Sequence, residues 1–345
     1  MITMKLYDNE KNRNVSEYVA TYCNHLIQLA HCISGMNPKS LSTICGALLH
    51  NPTPGTCEMM KASGLNWNQF PLQFVISHHK TGLQYKFIGD PAFYIADPLD
   101  RYQQSMKALS FILKMGNAHS LHDICMDTVA ATLPEDDTDL QEYTYGVMWL
   151  GLPLNHSGAA VYLLSVLDTK TAWQHAHTVA DTILPDSKEM HRVLTSLEPH
   201  CRLASVGIEG SSMKNGRVKL YWRVSGSASF HDFGIPLYTD DSVLRFIGTL
   251  LKEYFYTLSA LTFSAGFNLA TGKLTDIKID VSNRIMNMNF YEAITFIQKA
   301  AQSLDFHNLS LERKLLSCSR NDVEVAFIGI GVDDDRQYRL HMYFY

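Results

Sequence analysis

The sequence predicts an α+β fold, a ten-stranded antiparallel β-barrel with a solvent-filled lumen, surrounded by helices. Three observations lead there. Five segments alternate apolar and polar residues with period two, each around a turn. The stretches between them switch to a helical period. The unit of hairpin plus helices then recurs: Gly82, Gly158, Gly216, Gly272 and Asp335 at the turns are separated by 76, 58, 56 and 63 residues.

The hairpins are read at 70–90, 145–167, 204–224, 261–281 and 323–345. Their turns fall near Thr81-Gly82, at "NHSG", at Asn215-Gly216, at Thr271-Gly272 and around Asp333 to Arg336. Gly, Asn and Asp supply the backbone angles that tight turns need. "DPLDRYQQSMKALSFILKM" opens with Asp97 as N-cap and Pro98 at the first helical position. Its stripe is Leu99, Tyr102, Met106, Leu109 and Leu113. "DDSVLRFIGTLLKEYFYTL", "NFYEAITFIQKAAQSL", "KTAWQHAHTVADTIL" and "SKEMHRVLTSL" carry similar stripes. The first 60 residues read as helical, with a loop at "NPTPG". The chain is thus expected to be one barrel domain over 1–345, with 1–65 a helical segment packed on it.

Ten strands tend to close, which removes exposed edges. Helices with apolar stripes would then cover the outer wall, so the apolar strand face points outward and the polar face into the lumen. "GRVKLYWRV" at 216–224 makes the point: Val218, Leu220 and Trp222 lie on one face, Arg217, Lys219 and Tyr221 on the other. On its own this polar face reads as a solvated sheet surface. Inside a helix-covered barrel it becomes a cationic wall suited to an anion.

Composition narrows the functional classes. Hydrophobic residues make up 46% of 345, enough for a large core. The net charge of −5 lacks the basic excess usual in nucleic-acid partners. No apolar run is long enough for a membrane span, and the polar start lacks a signal core, so a cytoplasmic protein is expected. The seven cysteines have no CxxC pair and are expected to be reduced thiols. "PEDDTD" at 134–139 lacks DDxxD spacing and reads as a polar loop; "DDDR" at 333–336 reads as a solvated tip. His119 and His122 form an i, i+3 pair without a third ligand. His78 and His79 stand near the first turn, and "SGSAS" at 225–229 reads as a loop.

The ordered set of hairpins and helix pairs resembles the ABBA-fold aromatic prenyltransferases, closest to the dimethylallyltryptophan synthase type. The similarity runs from about residue 60 onward and is carried by "RVKLY", by "PLQFVISHH" followed by "DPLDRYQQSMKAL", by "FNLATGKLTDIKIDV" and by "YRLHMYFY". It implies transfer of a dimethylallyl or geranyl group from its diphosphate to an electron-rich aromatic carbon of an indole-type metabolite in natural-product biosynthesis. Arg217, Lys219 and Tyr221 would be catalytic. Lys86, Tyr162, Lys278, Arg339 and Tyr343 would join them around the prenyl diphosphate, and Gln73 would meet the aromatic acceptor. No cofactor is strictly required; Mg2+ would act only as a modulator carried by the diphosphate. Three positions depart from the family pattern: Gln73 replaces a glutamate, Ala160 a lysine and Gln84 an arginine. Two other readings remain open at this stage: a peptide side-chain prenyltransferase of the same fold, and a non-catalytic barrel that binds an anionic ligand.

Overall fold

The structure is a computed structural model; it describes the chain except for residues 1–14, 51–62, 67–69, 96, 134–139, 141–142, 144–145, 167, 226–227, 242, 246, 249–257, 305–309 and 319–322. Ten antiparallel strands form a closed barrel in the order β1-β10-β9-β8-β7-β6-β5-β4-β3-β2. They are β1 (Leu72–His79), β2 (Gly82–Gly89), β3 (Met148–Pro153), β4 (Ala159–Leu164), β5 (Cys201–Gly210), β6 (Arg217–Val224), β7 (Leu261–Asn268), β8 (Leu274–Ser282), β9 (Val325–Asp333) and β10 (Tyr338–Phe344). Every strand pairs with its sequence neighbours, and β1 closes on β10 with Phe74 opposite Phe344 and His79 opposite Arg339. All five expected hairpins are present.

The described helices lie outside the barrel. They are α1 (Val15–Ser34), α2 (Pro38–Leu49), α3 (Pro98–Met115), α4 (His122–Thr132), α5 (Thr169–Ile183), α6 (Lys188–Leu197), the single turn α7 (Asn283–Met286), α8 (Phe290–Ser303) and α9 (Ser310–Ser317). Their starts follow local capping chemistry. Asp97 accepts from Asp100 N ahead of α3, Asp168 from Thr171 N ahead of α5, and Asn289 shares a reciprocal capping box with Glu292 at α8. No described helix is long and apolar enough to cross a membrane. Most of the helix expected over 240–258, and the "PEDDTD" loop, lie outside the described residues.

Two sequence expectations need correction. On α3 the buried face is Arg101, Ser105, Ala108, Leu109, Ile112 and Leu113, whereas Leu99, Tyr102 and Met106 are only half-buried. The reason is polar: Arg101 makes two hydrogen bonds to the buried Asp90 carboxylate (2.8 and 3.0 Å), which turns that side of the helix inward. Cys32 and Cys318 are joined in a disulfide between α1 and the end of α9, across 286 residues of sequence. Barrel closure is what brings these distant ends together, and linear spacing carries no trace of it. Cys23, Cys45, Cys125 and Cys201 are free and buried, as expected of small apolar side chains.

The core is the sleeve between helices and barrel. Val218, Leu220 and Trp222 of β6 are fully buried there, as are Phe263, Ala265 and Phe267 of β7. Trp222 stacks on Phe263 (6.1 Å between ring centroids) and meets Phe233 and Tyr238 edge-on (5.8 and 5.9 Å). Trp222→Ala is expected to lower stability by about 3–5 kcal/mol, the usual cost of emptying a large aromatic site. Urea denaturation should show this as a lower midpoint with an unchanged slope; an unaltered midpoint would mean that the sleeve is not the core.

Candidate functional site

Period two puts the other face of every strand into the lumen. Among the described residues, two hollows with shared lining residues lie along it. The larger, about 530 Å³, opens at the hairpin-turn end, beneath the α1–α2 junction at Ser34 and Met36. Gln84, Lys86, Arg217, Lys219, Arg339 and His341 line it, with Glu209. The smaller, about 160 Å³, lies towards the end from which the helices depart, lined by Gln73, Trp149, Tyr162, Phe327 and Asp280 among others. Tyr221, Lys278 and Tyr343 border both and form the waist between them. All nine site residues expected from the sequence therefore reach the lumen.

The cations are held by three carboxylates. Glu209 on β5 sits opposite Arg217 in the strand register and pairs with it at 2.9 Å. Its other oxygen accepts the Tyr162 hydroxyl at 2.6 Å and lies 3.5 Å from Lys86 Nζ. Asp276 on β8 gathers Arg217 (3.2 Å), Lys219 (3.4 Å) and Arg339 (2.7 Å) around one buried group. Asp280 pairs with Lys278, which also donates to the Tyr343 hydroxyl. Among the described residues, five cations face three carboxylates, a formal surplus of two positive charges. Glycines make room for these carboxylates: a Cβ at Gly266 would collide with Asp276, and one at Gly329 with Asp280.

Proton affinities follow from burial and neighbours. Burial presses the Lys219 ammonium down to about 8, although Asp276 and Glu209 resist. For Glu209, burial favours the neutral acid, yet Lys86, Lys219 and Arg217 outweigh it and hold the carboxyl well below its usual range. Burial alone would discharge Lys278, but Asp280 and Tyr343 hold its affinity for the proton above normal. His79 falls to about 4, through burial and then Arg339, so it is neutral at pH 7. Burial also lifts the Tyr162, Tyr221 and Tyr343 hydroxyls, keeping these rings as phenols.

The departures from the family pattern have structural counterparts. Lys86 reaches from β2 across β3 to donate to Tyr162 on β4 at 2.8 Å. Ala160 lines the same hollow as Lys86. A cation is thus supplied from a different strand. Gln73 donates its amide nitrogen to Leu65 O (3.2 Å) and Asn66 Oδ1 (2.7 Å), leaving its carbonyl oxygen as the remaining acceptor. A glutamate in this pose would face two oxygens. Lys278 Nζ lies 5.6 Å from the Tyr221 ring and 5.0 Å from that of Tyr343, so the waist already uses its π faces against a cation.

Sequence reading missed Glu209, Asp276, Asp280 and His341. The signal was parity. Asp276 and Asp280 flank Lys278 at two-residue spacing, His341 lies midway between Arg339 and Tyr343, and Glu209 faces Arg217 across a hairpin. Of the remaining candidates, His79 lines the larger hollow whereas His78 is buried and alternates with it. His119 and His122 are exposed on the surface. Among the described residues, no cluster of three or more His, Cys, Asp or Glu is arranged to hold a metal.

No family model matches the chain, and no curated protein is similar to it in sequence. Solved structures do resemble it. 5-Dimethylallyltryptophan synthase from Streptomyces coelicolor superposes with a TM-score of 0.76 at 13% identity, covering 95% of this chain and 97% of that one. 6-Dimethylallyltryptophan synthase from Micromonospora olivasterospora, solved with DMASPP and Trp, gives 0.71 at 16% identity, with 94% and 96% covered. AnaPT from Neosartorya fischeri gives 0.69 at 11%, with 94% and 91% covered. The chain has the prenyltransferase-barrel fold of these proteins.

The depressed Lys219 makes anion binding pH-dependent. As pH rises through about 8 this cation discharges, so affinity for a diphosphate should fall between about pH 7 and 9.5. Lys219→Arg should flatten that decline, because a guanidinium does not titrate there. Calorimetric titration with inorganic pyrophosphate at several pH values checks this; a parallel decline in both proteins would assign the pH effect to another group.

Proposed function

We propose that this protein transfers a prenyl group, dimethylallyl or geranyl, from an allyl diphosphate to an electron-rich carbon of a small aromatic acceptor, with an indole as the leading acceptor class. The observation that carries this reading is the waist: Tyr221, Lys278 and Tyr343 line both a cationic hollow and a largely aromatic one. The donor's diphosphate would lie among Lys86, Arg217, Lys219, Lys278 and Arg339. Arg217 and Arg339 offer fixed forks and the lysines compact charges, both suited to phosphate oxygens. Neutralising the leaving group in a water-poor cavity favours cleavage of the C–O bond to an allyl cation. Tyr162, Tyr221 and Tyr343 would shield that cation with their π faces and keep water away. The aromatic carbon then attacks, and loss of its proton restores the ring.

The fold likeness supports this reading, since the neighbours' own names are those of prenyl-transferring enzymes. The 160 Å³ inner hollow favours a small acceptor over a peptide side chain. A binding-only barrel draws on a different observation, the three carboxylates that already neutralise most of the cations. Turnover separates the two: dimethylallyl and geranyl diphosphates should be offered with indoles, phenols and short aromatic peptides, and products followed by mass spectrometry. Product from the small acceptors supports the enzyme; saturable diphosphate binding without product from any pair supports the binder.

Arg217→Ala and Lys219→Ala should each lower kcat by about 10²–10³-fold, the cost of one lost contact to a developing leaving group. Circular dichroism should show the barrel intact. Near-normal turnover in both variants would take this face out of the chemistry.

Because the lumen's own cations would do the neutralising, turnover should persist in excess EDTA, with Mg2+ changing rate or product ratio by riding on the diphosphate. Complete loss in EDTA, restored by Mg2+, would overturn that expectation.

A further inference from the structure

We infer that the Cys32–Cys318 disulfide is a redox latch on the mouth of the larger hollow. Closed, it holds the α1–α2 turn over the entrance; reduced by a dithiol, it frees that turn and speeds ligand exchange. Its control over a diphosphate rests on the reading of the lumen given above. Ser34 and Met36 of this turn line the hollow. Cys32 stands two residues before Ser34, near the end of α1, and Cys318 directly follows α9. Neither cysteine lines the hollow, so the bridge acts on the turn from outside.

The helices on either side are fixed by buried faces, Leu26, Leu29 and Ile33 on α1 and Leu41, Ile44 and Leu48 on α2. The turn between them is not: Ser34 and Met36 are half-buried, Gly35 and Asn37 exposed. Its hydrogen bonds are largely internal. Gly35 N donates to His31 O at 2.8 Å, Ser34 Oγ to Ala30 O at 2.6 Å and Met36 N to Ser34 Oγ at 3.2 Å. From outside, Lys314 Nζ donates to Ile33 O at 3.0 Å and the Tyr85 hydroxyl to the same oxygen at 3.4 Å. Lys314 lies on α9 one helical turn before Cys318, whose N–H it accepts at 3.1 Å. The bridge thus fixes both the end of α1 and the helix that brings Lys314 to it. Breaking it removes the covalent tie and loosens this ammonium, while the buried faces keep α1 and α2 docked.

Cys32 is an exposed residue, within reach of an external thiolate. Cys23, Cys125 and Cys201 are buried thiols that burial pushes up to about 12, so they hold little reactive thiolate. Reduction proceeds by thiol–disulfide exchange. A thiolate of the dithiol attacks Cys32 Sγ, the S–S bond breaks and Cys318 leaves as thiolate. The dithiol's second sulfur then displaces Cys32 and closes a disulfide of its own. Two electrons and two protons pass to the protein.

The test compares the oxidised full chain with the chain reduced by dithiothreitol. On reduction, hydrogen exchange at the Gly35 and Met36 amides should quicken by about threefold or more. Bound inorganic pyrophosphate, followed by phosphorus exchange NMR, should dissociate faster by about threefold or more. Cys32→Ser should match the reduced form with or without dithiothreitol; Cys318→Ser serves if that variant does not fold. Unchanged exchange at the turn in folded, reduced protein would overturn the inference, as would a freed turn with unchanged pyrophosphate dissociation. A lower melting temperature alone would make the bridge a structural staple and overturn it too, and so would a Cys32→Ser protein that still responds to dithiothreitol. Failure of pyrophosphate to bind either form would refute the diphosphate reading instead, and exchange at the turn would then decide the latch.

Discussion

Asp276 is the interaction on which the lumen depends. One carboxylate at 1% exposure draws in Arg217 from β6, Lys219 from the same strand and Arg339 from β10. Isolated cations at those depths would cost several kcal/mol each through lost hydration. Paired around a common anion they remain charged, and Arg217 gains enough from Asp276 and Glu209 to bind its proton more tightly than in water despite its burial. The lumen therefore holds a preassembled set of charges. An entering diphosphate meets cations already positioned and partly desolvated, which reduces the reorganisation left for binding.

The same arrangement explains the two-faced strands. Apolar residues on the outer face pack under helices, as Val218, Leu220 and Trp222 do, and this frees the inner face for ionic groups. Neither face is optional. Without the helical sleeve the apolar side would face water; without closure the charged side would lie on an open sheet, where dielectric screening makes such pairs weak. The Cys32–Cys318 bridge ties the first described helix to the last and so belongs to this sleeve, not to the lumen.

Much of this was legible in the sequence because it is periodic. Alternation in "RVKLYWRV" assigned Arg217, Lys219 and Tyr221 to one face, and even spacing of turns counted the strands. What was not legible is cross-strand. Asp276 acts through partners 59 and 63 residues away in sequence, so nothing local marks it as the hub. The α3 face was misjudged for a similar reason: Arg101 looks like a solvent-facing residue until Asp90 is seen beneath it. Gln73 and Ala160 read as losses in the alignment of motifs. In three dimensions one is a strut for Leu65 and Asn66, and the other lines the hollow that Lys86 enters from β2.

The pairing of β1 with β10 has a consequence for how the protein comes into being. Phe74 lies opposite Phe344, so the seam that shuts the barrel joins segments some 270 residues apart. Contacts of such range form late and slowly, since chain entropy must be lost before they contribute. On a ribosome the first nine strands emerge before β10, and Arg339, Tyr343 and the closing seam arrive together with it. Until then the sheet has two free edges and Asp276 lacks one of its three cations. Edge-to-edge association is the hazard of that interval. It falls to the last strand to end it, with the same residues that complete the anion site.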